Sequence, residues 1–178
     1  MESGFDRGKF KALVHYICWR CQDPTKLGAV KLYKVLWRSD FGAYLEFGEP
    51  ITGASYVKGN FGPVPAGAQP VLEELQREGT LSIREVDYYG RDKKEFFALK
   101  RPDLSGFTAD EISLVDKEID YVTEQHTARS ISEESHDEIW EMARIGEEIP
   151  YFTVFSKPAE ITESDIEWAK MKIEELQD

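Results

Sequence analysis

The segment Phe47–Pro65 constrains the fold of this chain more than any other stretch. It holds four glycines and three prolines in nineteen residues, yet it keeps the apolar side chains of Ile51, Tyr56, Val57 and Phe61. Glycine reaches backbone angles that other residues avoid, and proline fixes its own φ angle. Glycines and prolines mixed with apolar side chains are typical of a shaped, packed connector rather than of a flexible linker.

Hydrophobic periodicity predicts the elements on either side of this connector. The helix over 26–45 is apolar more than halfway round, so we expect it to lie at the centre of the fold. The third helix contains Pro70, which fits a helix only in its first turn or at a kink. The predicted elements of this half are helices over 9–22, 26–45 and 66–78 and a hairpin with strands over 80–88 and 94–100.

The rest of the chain is predicted to be helical. Thr108 and Glu111 form a capping box at the start of one helix, Ser132 is expected to cap a shorter one, and Thr162 opens the last. The sequence therefore predicts a single α+β domain over residues 1–178, mostly helical, with one small antiparallel hairpin. Residues 1–8 are expected to be flexible.

Charge is distributed unevenly along the chain. The net charge is −12, but residues 1–101 carry a balance of +3 and residues 102–178 a balance of −15. An acidic face disfavours nucleic acids and membranes and attracts basic proteins. Two interpretations remain open, a solubilising surface and a docking face for a cationic partner. The chain has no apolar run of about 18 residues and its N-terminus does not resemble a signal peptide, so we expect a cytoplasmic protein.

The element order of residues 9–100 is that of a winged helix-turn-helix, which raises a DNA-binding hypothesis. The first two helices carry several cations, namely Lys9, Lys11, Arg20, Lys26, Lys31, Lys34 and Arg38. The presumed recognition helix over 66–78 offers only Arg77 against Glu73, Glu74 and Glu78, although a groove-reading helix should be basic or neutral. We therefore expect no direct binding to nucleic acid, and a DNA-binding regulator is the alternative interpretation.

No motif predicts catalysis. Cys18 and Cys21 have CxxC spacing, but both fall late in a helix and lack further metal ligands, so we expect two reduced packing cysteines. His136 lies among acids such as Glu133, which leaves a small metal-dependent enzyme as a second alternative. The connector contains neither of the glycine-rich phosphate-binding patterns. We predict no catalytic residue, no cofactor and no metal.

Three motifs, in order and at the expected spacing, give this chain a family resemblance. They are Lys31-Leu-Tyr-Lys-Val-Leu-Trp-Arg-Ser-Asp-Phe41, Gly48-Glu-Pro-Ile-Thr-Gly-Ala-Ser-Tyr56 and Phe61-Gly-Pro-Val64. Ser135-His136, Trp140 and Ile149-Pro150-Tyr151 match a further feature. On these motifs the chain resembles the Panacea family, the SocA-like antitoxin domain that also occurs in phage-associated GepA-like proteins.

The resemblance implies an antitoxin of a prokaryotic or phage toxin–antitoxin system, which neutralises a co-encoded toxin by binding it directly. It also implies, for the SocA-like branch, delivery of the toxin to the protease ClpXP. The family is paired with many unrelated toxins, so the resemblance predicts a role but not a target. Many toxins are basic, and the acidic half of this chain could then steer association.

This chain departs from the family pattern at two places. Pro70 lies where members usually continue a plain helix, and Trp37-Arg-Ser replaces the usual run in the second helix. Aromatic residues and arginine are common in interfaces, so we predict toxin contacts from the second helix and the connector, although the aromatic members could equally be core. The predicted contact residues are Trp37, Arg38, Tyr56, Lys58, Asn60 and Phe61.

Overall fold

A computed structural model describes residues 4–156. Its elements in chain order are α1 (Arg7–Arg20), α2 (Gly28–Phe47), β1 (Tyr56–Gly59), β2 (Gly62–Pro65), α3 (Ala68–Arg77), β3 (Leu81–Asp87), β4 (Asp92–Ala98), α4 (Ala109–Glu124), α5 (Ala128–Glu134) and α6 (Glu138–Met142). Short 3₁₀ helices cover Pro24–Lys26 and Tyr151–Ser156. The mixed α+β class is confirmed. The helix predicted to begin at Thr162 lies outside the described residues.

The central helix is α2, as its wide apolar surface predicts. Leu32, Val35 and Leu36 are completely buried, and α2 packs against α1, α4, α5, β2, β4 and the 3₁₀ helix Tyr151–Ser156. Gly42 lies within α2, and a Cβ at this position would meet the methyl groups of Leu114 on α4 at 3.6 and 3.7 Å. The helix ends at Gly48, which takes a left-handed φ of 82° as the C-cap.

The connector contains a second hairpin, which the sequence analysis predicted only as a shaped segment. Strands β1 and β2 pair antiparallel from Tyr56 opposite Pro65 to Gly59 opposite Gly62. The far edge of β1 bonds to the backbone of residues 146–149, including Ile149 N–H to the Tyr56 carbonyl at 2.7 Å. Because β1 is paired on both sides, the β1 edge of this short hairpin is not left open. The predicted β3–β4 hairpin forms from Leu81 opposite Ala98 onward.

Helix caps explain where the acidic half departs from prediction. The Thr108–Glu111 capping box starts α4 as expected. Ser132, however, lies inside α5, whose cap is Thr127, and α6 is capped by Asp137. Thr127 and Asp137 both accept from a backbone N–H three residues on, which makes them the better caps. Pro70 falls in the first turn of α3, so no kink results.

Six carboxylates of the acidic half pair with cations of the first half of the chain. Carboxylates of α4 and α5 pair with cations of the first two helices and the turn between them. The pairs are Lys9–Glu111, Arg20–Asp116, Arg20–Asp120, Lys26–Glu124, Arg38–Glu118 and Arg38–Glu134. Lys11 pairs instead with Glu74 and Glu78 around α3. The opposite charges of the two halves thus attract each other, which leaves little cationic surface on α1 and α2.

No helix in residues 4–156 combines the length and the apolar character that crossing a membrane requires.

The tight approach at Gly62 yields a first prediction. A Cβ at Gly62 would lie 2.2 Å from Ser135 Oγ and 2.4 Å from Lys34 Nζ, at a φ of +104°. We expect Gly62→Ala to lower the free energy of unfolding by about 3 kcal/mol or more, since backbone strain and overpacking add. Chemical denaturation measures the change.

Gly67→Ala is the matched control, because Gly67 also has a positive φ, of +81°, but open space around it. It should cost only about 1 kcal/mol from the left-handed backbone. Equal losses in the two variants would contradict the packing argument.

Candidate functional site

The connector is joined to α2 by one buried carboxylate. Asp40 is completely buried, and its oxygens accept from Thr52 N–H at 2.7 Å, Thr52 Oγ1 at 2.6 Å and the Tyr56 hydroxyl at 2.7 Å. Burial raises the pKa of Asp40 to about 6 although each of these hydrogen bonds lowers it. The group is enclosed and fully bonded, so its geometry is that of a structural link rather than of an acid–base catalyst.

A second buried polar group holds the β2 end of the connector. Lys34 is 1% exposed, and its amine donates to the Pro63 carbonyl at 3.4 Å. Desolvation lowers the pKa of Lys34 to about 7. Ser135 also lies against Gly62 and donates to the Ser132 carbonyl at 2.7 Å, while Ser132 itself donates to the Phe61 carbonyl. The first two family motifs and the Ser-His step therefore meet around the connector hairpin.

The structure divides the six predicted contact residues into four groups. Tyr56 is 1% exposed and belongs to the core network of Asp40, so it cannot touch a partner directly. Asn60 and Phe61 form the exposed turn between β1 and β2, and the Phe61 side chain is 64% exposed. Trp37 is a core residue only 8% exposed and Arg38 is paired with carboxylates, and both line a groove on α2.

Lys58, the remaining predicted residue, fastens the connector to α6. Its amine donates to the Ala143 carbonyl at 3.0 Å and to the Glu141 carbonyl at 3.3 Å. It also sits 4.0 Å from the centre of the Trp140 ring, a cation–π contact. Lys58 therefore supports the site rather than presenting a free amine to a partner.

The groove beside α2 is the feature that sequence reasoning missed. Its cavity measures about 560 Å³ and lies between α2, α4, α6 and the 3₁₀ helix Tyr151–Ser156. Its walls are mainly apolar and include Trp37, Phe41, Leu45, Leu114, Trp140 and Phe155. The spacing of Trp37, Phe41 and Leu45 by four residues signals a shared helix face, but nothing in the sequence tells that this face is left partly open.

The histidine and cysteine candidates have structural surroundings. The His136 ring stacks on Trp140 with centroids 3.7 Å apart, and burial, with Lys34 and Lys58 nearby, lowers the pKa of His136. Glu133 pairs with Arg129 instead. Within residues 4–156 no three His, Cys, Asp or Glu side chains are grouped as a metal site would need. Cys18 and Cys21 are free and buried, as expected of packing residues, and burial raises the pKa of both thiols.

The Asp40 network yields a second prediction. Asp40→Ala leaves the Thr52 N–H and the Tyr56 hydroxyl buried without an acceptor, so we expect the free energy of unfolding to fall by about 3 kcal/mol or more. Asp87→Ala, an exposed carboxylate at the end of β3, should change it by no more than about 0.5 kcal/mol. Urea denaturation of the two variants tests this, and a small effect at Asp40 would refute the structural role.

Lys34 yields a pH prediction. Its folded pKa of about 7 lies below the unfolded value of about 10.4, so above pH 7 the unfolded chain keeps a proton that the folded chain has released. Stability should therefore rise with pH, by up to about 1.4 kcal/mol per unit. Between pH 7 and 8.5 we expect wild type to gain about 1–2 kcal/mol over Lys34→Met, as measured by denaturation at each pH.

We limit the comparison to pH values below about 8.5. Above this pH the thiols ionise in the unfolded chain but not in the folded one, because burial raises the pKa of both cysteines, and this difference lowers stability. Lys117→Met removes an exposed lysine and should keep the wild-type slope. If the free energy of unfolding depends on pH in the same way for wild type and Lys34→Met, Lys34 keeps its proton when folded and the prediction is wrong.

A known protein family matches the part of the chain that contains the connector and most of α2. A family model described as antitoxin SocA-like, Panacea domain, matches residues 32–141, well over half of the chain. The match begins in α2, includes the connector, and ends in α6. No curated protein and no solved structure matches. The match confirms the resemblance drawn from the three motifs, and the chain belongs to the antitoxin SocA-like, Panacea domain family.

Proposed function

We propose that this protein is an antitoxin that neutralises a co-encoded toxin by direct protein–protein binding. The observation that carries the proposal is the family match over residues 32–141, which supports an antitoxin role in general. The geometry adds two exposed features suited to binding a protein, the Asn60–Phe61 turn and the groove on α2. The toxin is the partner that this role requires.

Binding accounts for the buried polar groups better than catalysis does. The pKa values of Asp40 and Lys34 are shifted toward neutrality, as those of catalytic acids and bases often are. Both groups, however, are enclosed and lie within hydrogen-bonding distance of connector atoms. A general acid or base must reach its substrate within hydrogen-bonding distance. These two groups instead hold the surface that we propose to bind the toxin, and the role is non-enzymatic.

The DNA-binding alternative receives no support from the placement of charge. Of the cations on α1, the turn and α2, Lys9, Lys11, Arg20, Lys26 and Arg38 are paired with carboxylates, while Lys31 and Lys34 are buried. The exposed side of α3 carries Glu73 and Glu78 beside Arg77. A duplex would meet few free cations at the face where a winged helix binds it.

Delivery of the toxin to ClpXP is a finer part of the proposal and is separable from neutralisation. If binding alone suffices, the antitoxin should protect cells that lack ClpX as well as wild-type cells. If delivery is needed, protection should vanish in those cells while the complex still forms. Co-expression of the toxin encoded beside this gene in both strains, with pull-down of the complex, distinguishes the two routes.

The turn of the connector yields the test of direct binding. We expect a chain carrying both Asn60→Ala and Phe61→Ala to bind the toxin about tenfold or more weakly, because exposed aromatic residues are frequent hot spots. Its thermal midpoint should stay unchanged, since both side chains are exposed. Calorimetric titration with the purified toxin measures the affinity, and growth of cells expressing the toxin measures neutralisation.

The control is Tyr89→Asn at the tip of the β3–β4 hairpin. Tyr89 is as exposed as any aromatic residue described, and asparagine tolerates its positive φ of 52°. Toxin binding should be unaffected. Full affinity in the Asn60 and Phe61 variant would remove the turn from the interface, and failure of the wild-type chain to bind or neutralise the toxin would refute the proposed function.

A further inference from the structure

We propose that the groove on α2 binds an apolar segment of the partner that ends in a lysine or arginine. The inference rests on the proposed function, because the partner is taken to be the toxin. It goes further by naming the surface used and the chemistry that the surface selects.

The groove exposes apolar side chains that a protein usually covers. Leu45 is 52% exposed at one rim and Phe155 is 61% exposed at another, while Trp37 and Phe41 form part of the wall between them. Adjacent exposed apolar groups of this size mark interaction surfaces. The α2 wall from Trp37 to Leu45 spans eight residues, about 12 Å or two helical turns, which suits the apolar face of a short helix.

The end of the groove at the α2 C-terminus attracts cations. The last turn of α2 contains no basic residue to offset the negative end of the helix dipole. Glu46 lines the groove there, and its carboxylate has no ion pair or hydrogen bond to another side chain among residues 4–156. A smaller cavity of about 260 Å³ continues past it, lined by Phe47 and Asp110 and also by Lys117. Two carboxylates and a helix C-terminus outweigh that single lysine.

Trp140 forms the α6 wall of the groove. The indole N–H of Trp140 is buried and has no acceptor within the described part of the chain. Trp140 lines the same groove, held between His136 and Lys58 contacts. Because this N–H is enclosed, Trp140 offers a partner only the apolar surface of its ring.

Charge selects a foreign partner over the protein itself. A second copy would bring another net charge of −12 to an acidic groove end. Residues 157–178 of the same chain carry seven Asp/Glu against three Lys/Arg. Both would meet like charge at Glu46 and Asp110, whereas a basic toxin segment would meet opposite charge.

The apolar part of the inference is tested by Leu45→Arg, with Leu99→Arg as the matched control. Leu99 is 59% exposed and lies just after β4, outside the groove. Both variants should fold with thermal midpoints near wild type. We expect Leu45→Arg to weaken binding of the toxin encoded beside the gene at least about tenfold, as burial of a desolvated charge predicts, and Leu99→Arg to bind as wild type does.

The charged part is tested by Glu46→Lys, with Glu85→Lys as a control that changes net charge equally at the exposed face of β3. Glu46→Lys should weaken toxin binding several-fold at low salt, and the difference should shrink at high salt. Glu85→Lys should weaken toxin binding much less at low salt.

The outcomes separate the two proposals. If wild type binds the toxin and Leu45→Arg binds equally well, the groove inference is overturned while the antitoxin role stands. A photo-cross-linker at position 45 should yield a toxin adduct. An adduct with a second copy of the chain, or with the chain's own residues, would assign the groove to the protein itself and overturn the inference. Failure of the wild-type chain to bind the toxin overturns the proposed function.

Discussion

A buried carboxylate decides how this domain is assembled. An ionised group removed from water is costly unless hydrogen bonds replace its hydration, and Asp40 obtains three of them from Thr52 and Tyr56. Those donors lie twelve and sixteen residues later in the chain, across the turn after α2. The connector must therefore fold back onto the centre of the helix, and its hairpin is placed by that requirement.

The second constraint acts on the other strand of the same hairpin. Lys34 lies nearly two helical turns before Asp40 and contacts the carbonyl of Pro63, while Gly62 passes close to Lys34 and Ser135. α2 thus binds the connector at two points, one through a carboxylate and one through an amine. The hairpin also joins to residues 146–149 through β1, so the groove walls on α2, β2 and α6 form part of one assembly.

Much of the fold could be predicted from the sequence, because its signals are local. Apolar spacing predicted α1 to α4, and the capping box at Thr108 was correct. The β1–β2 hairpin was not predicted, since four-residue strands rich in glycine and proline lack a two-residue alternation long enough to recognise. One short helix capped by Ser132 was predicted after α4, whereas the structure has two, α5 and α6, for a related reason: several Ser, Thr and Asp residues there compete to be the cap.

The site was less predictable, because exposure is a tertiary property. Tyr56 and Phe61 are both aromatic residues of the connector, yet one is inside and the other outside. A docking face was one interpretation of the acidic half. Several carboxylates of α4 instead pair with cations of α1 and α2, and these pairs could not be predicted because they depend on how α4 packs.

The motif residues that identify the family lie mostly inside. Five of these motif residues are buried and fix the position of the connector on α2, namely Lys34, Asp40, Thr52, Tyr56 and Gly62. Outer positions such as Leu45 and Glu46 are exposed and lie outside this buried set. If the proposed binding surface uses these outer positions, it can change without rebuilding the interior. New specificities are then reachable by single surface substitutions, at almost no cost in folding.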